Sequence, residues 1–113
     1  MATLSTHILD TAVGLPAPNI AVCCEVLNNG EWSIVGEGKT DADGRVKGLH
    51  GAQPLQTGGV YRLIFQTAPY FQQRDIVSFY PKVTVEFSIG GDRSHYHVPL
   101  LLNPFGYSTY RGS

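Results

Sequence analysis

Charge is scarce in this sequence. Lys and Arg number 8 and Asp and Glu 9, together 15% of the chain, for a formal net charge of -1, against roughly 25% in ordinary soluble domains. No run of basic residues occurs, which argues against nucleic acid and anionic membrane as partners, because both are held through clustered Lys and Arg. Apolar stretches are short and interrupted by Gly, Pro and Gln, so none approaches the roughly 20 residues that a spanning helix needs. The opening Met1 to His7 carries neither a basic nor an apolar segment of the kind a secretory signal shows, so the cytoplasm is the expected compartment. Cysteine is limited to Cys23 and Cys24, adjacent in an apolar run. Neighbouring side chains on a strand point to opposite faces, so the two are expected to remain reduced thiols in or near the core. Charge this sparse also hints that part of the surface is covered by partners.

Helical periodicity is nearly missing too, and period-two alternation takes its place. Val83, Val85, Phe87 and Ile89 alternate with Lys82, Thr84, Glu86 and Ser88; Tyr61, Leu63 and Phe65 alternate with Arg62 and Ile64; and Tyr96, Val98, Leu100 and Leu102 share a face near the end of the chain. Such short runs, separated by clusters of Gly, Asn, Asp and Pro, predict an all-β sandwich or barrel of seven or eight strands within a single domain over 1–113. One helical turn or two is expected around Ala68 to Arg74, and a tight turn at Asn103-Pro104-Phe105-Gly106. Asp41-Ala42-Asp43-Gly44 resembles part of a calcium loop, but Lys39 and His50 stand where the first and last ligands would be. A hairpin turn feeding Arg45 into the next strand is expected there instead.

Polar side chains on apolar strands are the informative feature, since burying one unpaired costs about 1 to 3 kcal/mol. Thr3, Ser5 and His7 fall on the face opposite Leu4 and Ile8, and His95 and His97 on the face opposite Tyr96 and Val98. All three imidazoles therefore point away from the predicted core. Three imidazoles on two strands could form an open zinc site. A His-x-His pair is by itself a weak signal for a metal site, so no metal and no cofactor is expected. There is no Gly-x-Ser-x-Gly or other nucleophile elbow.

Three segments carry a family resemblance: Leu4-Ser5-Thr6-His7-Ile8-Leu9-Asp10-Thr11 with Gly14-Leu15-Pro16-Ala17; Thr40 to Arg45; and Tyr96-His97-Val98-Pro99 through Tyr110-Arg111-Gly112-Ser113. In this order, over essentially the whole chain, they resemble the 5-hydroxyisourate hydrolases of the transthyretin-like family. The terminal Tyr-Arg-Gly-Ser is the most specific element, and Asn103 in a turn, where Ser is expected, is the one departure noted. The resemblance implies a transthyretin-like (prealbumin-like) β-sandwich of two four-stranded sheets with one short helix. It further implies a homotetramer, a dimer of dimers, with active sites in clefts between the dimers. The site it implies comprises His7, Arg45 and His97 as catalytic residues and Tyr110, Arg111, Gly112 and Ser113 as substrate-binding residues.

The reaction implied is hydrolysis of the ring amide of a small urate-derived substrate by water. One imidazole of His7 and His97 would take the proton of water and the other would protonate the leaving nitrogen, in an order the sequence leaves open. Arg45, forked and cationic, would stabilise the oxyanion. Tyr110 would supply an aromatic wall, and the Ser113 carboxylate would accept a hydrogen bond from an imidazole and fix its tautomer. A transthyretin-like carrier of small molecules without catalysis is the competing reading, because one sandwich fold can serve either role.

Overall fold

The computed structural model describes residues 2–113, and alternation of apolar side chains determines where its strands lie. β1 spans Thr3–Asp10, β2 Leu15–Pro16, β3 Ala21–Asn28, β4 Glu31–Lys39, β5 Arg45–Lys47 and β6 Val60–Phe65. The helix α1 spans Ala68–Gln72, followed by β7 Val83–Ser88, β8 His95–Asn103 and β9 Gly106–Thr109. One sheet runs β4-β3-β6-β7. The other runs β2-β1-β8-β9, with β5 also paired to β1.

That second sheet has five assigned strands but only four strand positions. β5 pairs with Ser5 to His7 and β2 with Leu9 and Asp10, end to end along one edge of β1. The expected two four-stranded sheets with one short helix are therefore present, and the strand count exceeds seven or eight because that edge is interrupted. β1 and β8 run parallel over eight paired residues, from Thr3 opposite His95 to Asp10 opposite Leu102.

Between the sheets lies one core. Leu4 and Ile8 of β1, Val22 and Cys24 of β3, Tyr61, Leu63 and Phe65 of β6, and Tyr96, Leu100 and Leu102 of β8 are all buried. A fully buried side chain of this size contributes about 1.5 to 3 kcal/mol by leaving water. The run from Val83 to Ile89 is less uniform than its alternation suggests: Val83 and Ile89 are fully buried, whereas Val85 and Phe87 are only half covered. Cys24 is buried and Cys23 half-buried, both unpaired. Burial first, then the neighbouring Cys23 thiol, pushes the Cys24 thiol up to about 12, so it is an inert apolar filler.

The helix begins at Ala68, carries Pro69 in its first turn, where the missing N–H costs no helical bond, and has no side-chain cap. It buries Tyr70 and Phe71, and the Tyr70 hydroxyl donates to the buried Asp10 carboxylate at 2.8 Å, fixing the helix to the end of β1. Asn103 pairs with Gly106, so Pro104 and Phe105 form the expected tight turn between β8 and β9.

The segment Asp41 to Gly44 differs from expectation. It is a turn, but not a hairpin, because the strand it feeds pairs with β1 in the opposite sheet rather than with β4. Gly44 explains the crossing. Its φ is +75°, a left-handed conformation that favours glycine, and a Cβ there would sit 2.4 Å from the Ile8 carbonyl oxygen. The Gly44 carbonyl accepts from Ile8 N–H at 2.7 Å. The Asp41 carboxylate accepts from the backbone N–H groups of Asp43 and Arg45 at 2.9 and 3.0 Å. Those bonds, the one to Arg45 foremost, hold its carboxyl below the usual carboxylate range.

Candidate active site

Three strands carry the site. Arg45 on β5 lies directly opposite His7 on β1, and His97 on β8 lies directly opposite Ser5 on the other flank of β1. Their in-between neighbours, Leu4, Thr6, Ile8, Val46, Tyr96 and Val98, are buried in the core. Strict alternation therefore turns Ser5, His7, Arg45, His95 and His97 to the outer face of the same sheet. With strands about 4.8 Å apart, His7, Arg45 and His97 occupy a patch on the order of 10 Å across. These three groups come from distant parts of the chain. Local alternation decides which way each points, and the crossing at Gly44 decides that Arg45 joins the imidazoles.

A hydrogen-bonded chain lies beneath His97. Ser5 Oγ is 2.9 Å from His97 Nδ1 and 2.8 Å from His95 Nε2, and Thr3 Oγ1 is 2.5 Å from His95 Nδ1. The two imidazole rings lie nearly parallel with centroids 6.4 Å apart. Ser5 is buried beneath them although it belongs to the outer face. Thr3, Ser5 and His95 were not among the expected site residues. The signal that could have found them is the matched alternation of Thr3-x-Ser5-x-His7 and His95-x-His97.

His97 is held below its ordinary value of 6.5, first by partial burial and then by His7, His95 and Arg45, with a weaker opposing contribution from a hydrogen bond to Ser5. Its imidazole is thus neutral near pH 7 and able to accept a proton. The sign for stability follows. Between the folded value and 6.5 the unfolded chain binds more protons, so stability rises with pH across that window and is lost as pH falls. Urea midpoints measured from pH 7 to pH 5 are expected to decline for the parent protein and to flatten for His97→Gln. Equal slopes in the two proteins would remove His97 from that role.

The terminal segment is tied down rather than frayed. Gly112 forms an isolated bridge with His97, donating its N–H to the His97 carbonyl at 2.8 Å. Arg93 reaches the Gly112 carbonyl at 3.4 Å, and Arg111 pairs with Asp92 at 3.0 Å. Gly112 is buried, and a Cβ on it would meet His97 Cδ2 at 2.7 Å. Gly112→Ala is therefore expected to displace the His97 ring, costing about 1 to 3 kcal/mol of stability and roughly 10-fold in turnover. Thermal melting together with an activity assay would check both.

Tyr110 and Arg111 line a cleft of about 200 Å³ at the sandwich edge with His97, Val85 and Phe87. His7 and Arg45 do not line that cleft. Ser113 is exposed, and the partner of His97 Nδ1 is the Ser5 hydroxyl. Among the described residues, no group of three His, Cys, Asp or Glu side chains is placed to hold a metal ion, and no helix is long and apolar enough to cross a membrane.

Residues 4–112 match the model of the HIUase/Transthyretin family. A curated 5-hydroxyisourate hydrolase of Salmonella typhimurium is 46% identical over 110 residues, covering 97% of this chain and 80% of the relative. The solved structure of Klebsiella pneumoniae 5-hydroxyisourate hydrolase is similar over 100% of both chains, with TM-score 0.85 and 38% identity. The structure of sea bream transthyretin in complex with thyroxine is similar with TM-score 0.88 and 32% identity, over 96% of this chain and 93% of that one.

Proposed function

Because the chain belongs to the HIUase/Transthyretin family, in which its curated relatives are hydrolases, we propose that it hydrolyses 5-hydroxyisourate to 2-oxo-4-hydroxy-4-carboxy-5-ureidoimidazoline in urate breakdown. One observation carries this reading: two imidazoles and a guanidinium, distant along the chain, share one patch on the outer face of β5, β1 and β8.

Opening a cyclic amide requires a proton taken from water, a stabilised oxyanion and a proton given to the leaving nitrogen. The oxygen of water bonds to the amide carbon and the carbon–nitrogen bond breaks. One water proton ends on the departing nitrogen and the other is released as the product ionises. His97, neutral and half-buried, is suited to take the first proton, with His7 on the adjoining strand as donor; Arg45 covers the carbonyl oxygen. These groups meet all three needs, so the reading calls for no metal, cofactor or covalent protein intermediate. Tyr110, Arg111, Gly112 and Ser113 would complete the substrate pocket.

The patch lies open on the outer face of one sheet, and an open face becomes a pocket when another copy covers it. A homotetramer, a dimer of dimers with the site between dimers, follows as the proposed assembly. Its mass by light scattering should be four times that of the chain. The chain as one transthyretin-like hydrolase domain, acting in the cytoplasm, completes the proposal, and its unpaired thiols fit a reducing compartment.

Likeness to a thyroxine-bound transthyretin supports a second reading, that of a small-molecule carrier. A kinetic assay separates them. With the unstable substrate generated in situ from urate, the protein is expected to accelerate the ultraviolet decay well beyond the spontaneous rate, before and after chelator treatment. A carrier would bind aromatic ligand and leave the decay rate unchanged, and loss of activity on chelation would return the zinc reading.

A further inference from the structure

Ser5 sits between two imidazoles and has one proton to give. Its hydroxyl lies 2.9 Å from His97 Nδ1 and 2.8 Å from His95 Nε2, and His95 Nδ1 in turn lies against Thr3 Oγ1. A serine hydroxyl donates once and accepts at its lone pairs, while a neutral imidazole donates at one nitrogen and accepts at the other. Two arrangements satisfy every contact and keep the Ser5 proton within the chain; in a third, both rings donate to Ser5 and its proton turns away from them. In the first, Thr3 donates to His95 Nδ1, His95 Nε2–H donates to Ser5, and Ser5 donates to His97 Nδ1; both rings carry their proton on Nε2. In the second, every bond runs the other way and both rings carry their proton on Nδ1.

We propose that Ser5 spends its proton on one of the two rings, so that Thr3, His95, Ser5 and His97 form one proton wire whose imidazoles hold the proton on the same-named nitrogen, and that the wire reverses as a unit and sets whether His97 offers the site an Nε2 lone pair or an Nε2–H. The proposal rests on the role given to His97 in hydrolysis and extends it. Ser5, His95 and Thr3 act through His97 and are positioning residues.

Protons balance when the wire reverses. Starting from the second arrangement, His97 Nε2 takes a proton from water in the site and releases its Nδ1 proton to Ser5 Oγ. Ser5 passes its own proton to His95 Nε2. His95 releases its Nδ1 proton to Thr3 Oγ1, and Thr3 gives its hydroxyl proton to bulk water. One proton enters from the site and one leaves at the exposed end, where His95 is solvent-accessible and Thr3 half-buried. Neither ring ends up charged. That outcome suits the surroundings, because cationic or titratable groups press on His97: His7 on β1, His95 on its own β8 and Arg45 on β5, with Lys47 of β5 opposite Ser5. Arg93 reaches the terminal segment that bridges His97. An imidazolium among these groups would be disfavoured.

Long-range proton–nitrogen correlation spectra of the full-length protein, recorded without substrate above the titration of both rings, test the coupling directly. The expected result is matching tautomers at His95 and His97, with Ser5→Ala shifting the nitrogen resonances of both rings together. Opposite tautomers in the parent protein, or unchanged resonances in Ser5→Ala, would overturn the wire. Kinetics supply the second arm. His95→Gln keeps an amide that can meet Ser5 but cannot pass a proton between its two ends. It is expected to lower kcat about 10-fold with KM within 2-fold, and to turn a curved solvent-deuterium proton inventory into a linear one. A curved inventory surviving in His95→Gln would overturn the proposal. If the parent protein failed to hydrolyse 5-hydroxyisourate while its tautomers matched, the hydrolase reading would fail and the wire would stand.

Discussion

His97→Ala is expected to lower kcat/KM for 5-hydroxyisourate by about 10²- to 10⁴-fold, the range for removing a positioned general acid or base. The size follows from where the ring sits. Its Nδ1 is occupied by Ser5, so Nε2 is the nitrogen left for the site, and burial with three neighbouring groups keeps it neutral and able to accept a proton. His97→Asn makes the sharper comparison, because its amide can still meet Ser5 while Nε2 is gone. If the assignment holds, both variants fall together, and their melting temperatures stay close to the parent because the ring is on the outer face rather than in the core. Turnover within 3-fold of the parent in His97→Asn would remove His97 from the chemistry.

Arg45→Lys is the second large effect, expected at about 10²- to 10³-fold in kcat, as for loss of one oxyanion-stabilising donor. Charge is retained in this variant, so the loss measures the forked, planar geometry that lysine lacks. Stability should change by less than about 0.5 kcal/mol: the side chain is exposed and its guanidinium makes no ion pair among the described residues. What anchors this strand instead is backbone, through the Asp41 turn and the pairing with His7. Arg45→Lys with unaltered kcat and a raised KM would mean that Arg45 only holds the substrate.

Much of this was legible in the residues. Alternation alone located β6, β8 and the core face of β1, because a strand with one wet face has a period of two and any slip by one residue would expose its apolar set. It also turned His7, His95 and His97 outward. The interrupted edge formed by β2 and β5 escaped notice because two- and three-residue strands carry too little pattern to register. The turn at Asp41 to Gly44 was read as a hairpin for a related reason: Asx and glycine chemistry specify that the chain turns, and say nothing about which sheet receives it. Ser5 was assigned only a face, since its burial comes from two imidazoles some ninety residues away along the chain.

The linear order of side chains by itself determined the fold class and the orientation of each candidate group, because both follow from local periodicity and the exclusion of apolar surface from water. Tertiary structure alone decided which of those groups meet. The parallel pairing of β1 with β8 brings Ser5 to His97, the crossing at Gly44 brings Arg45 to His7, and the bridge at Gly112 brings the chain end to His97. Such long-range contacts depend on register and close packing between distant segments, which no local pattern encodes.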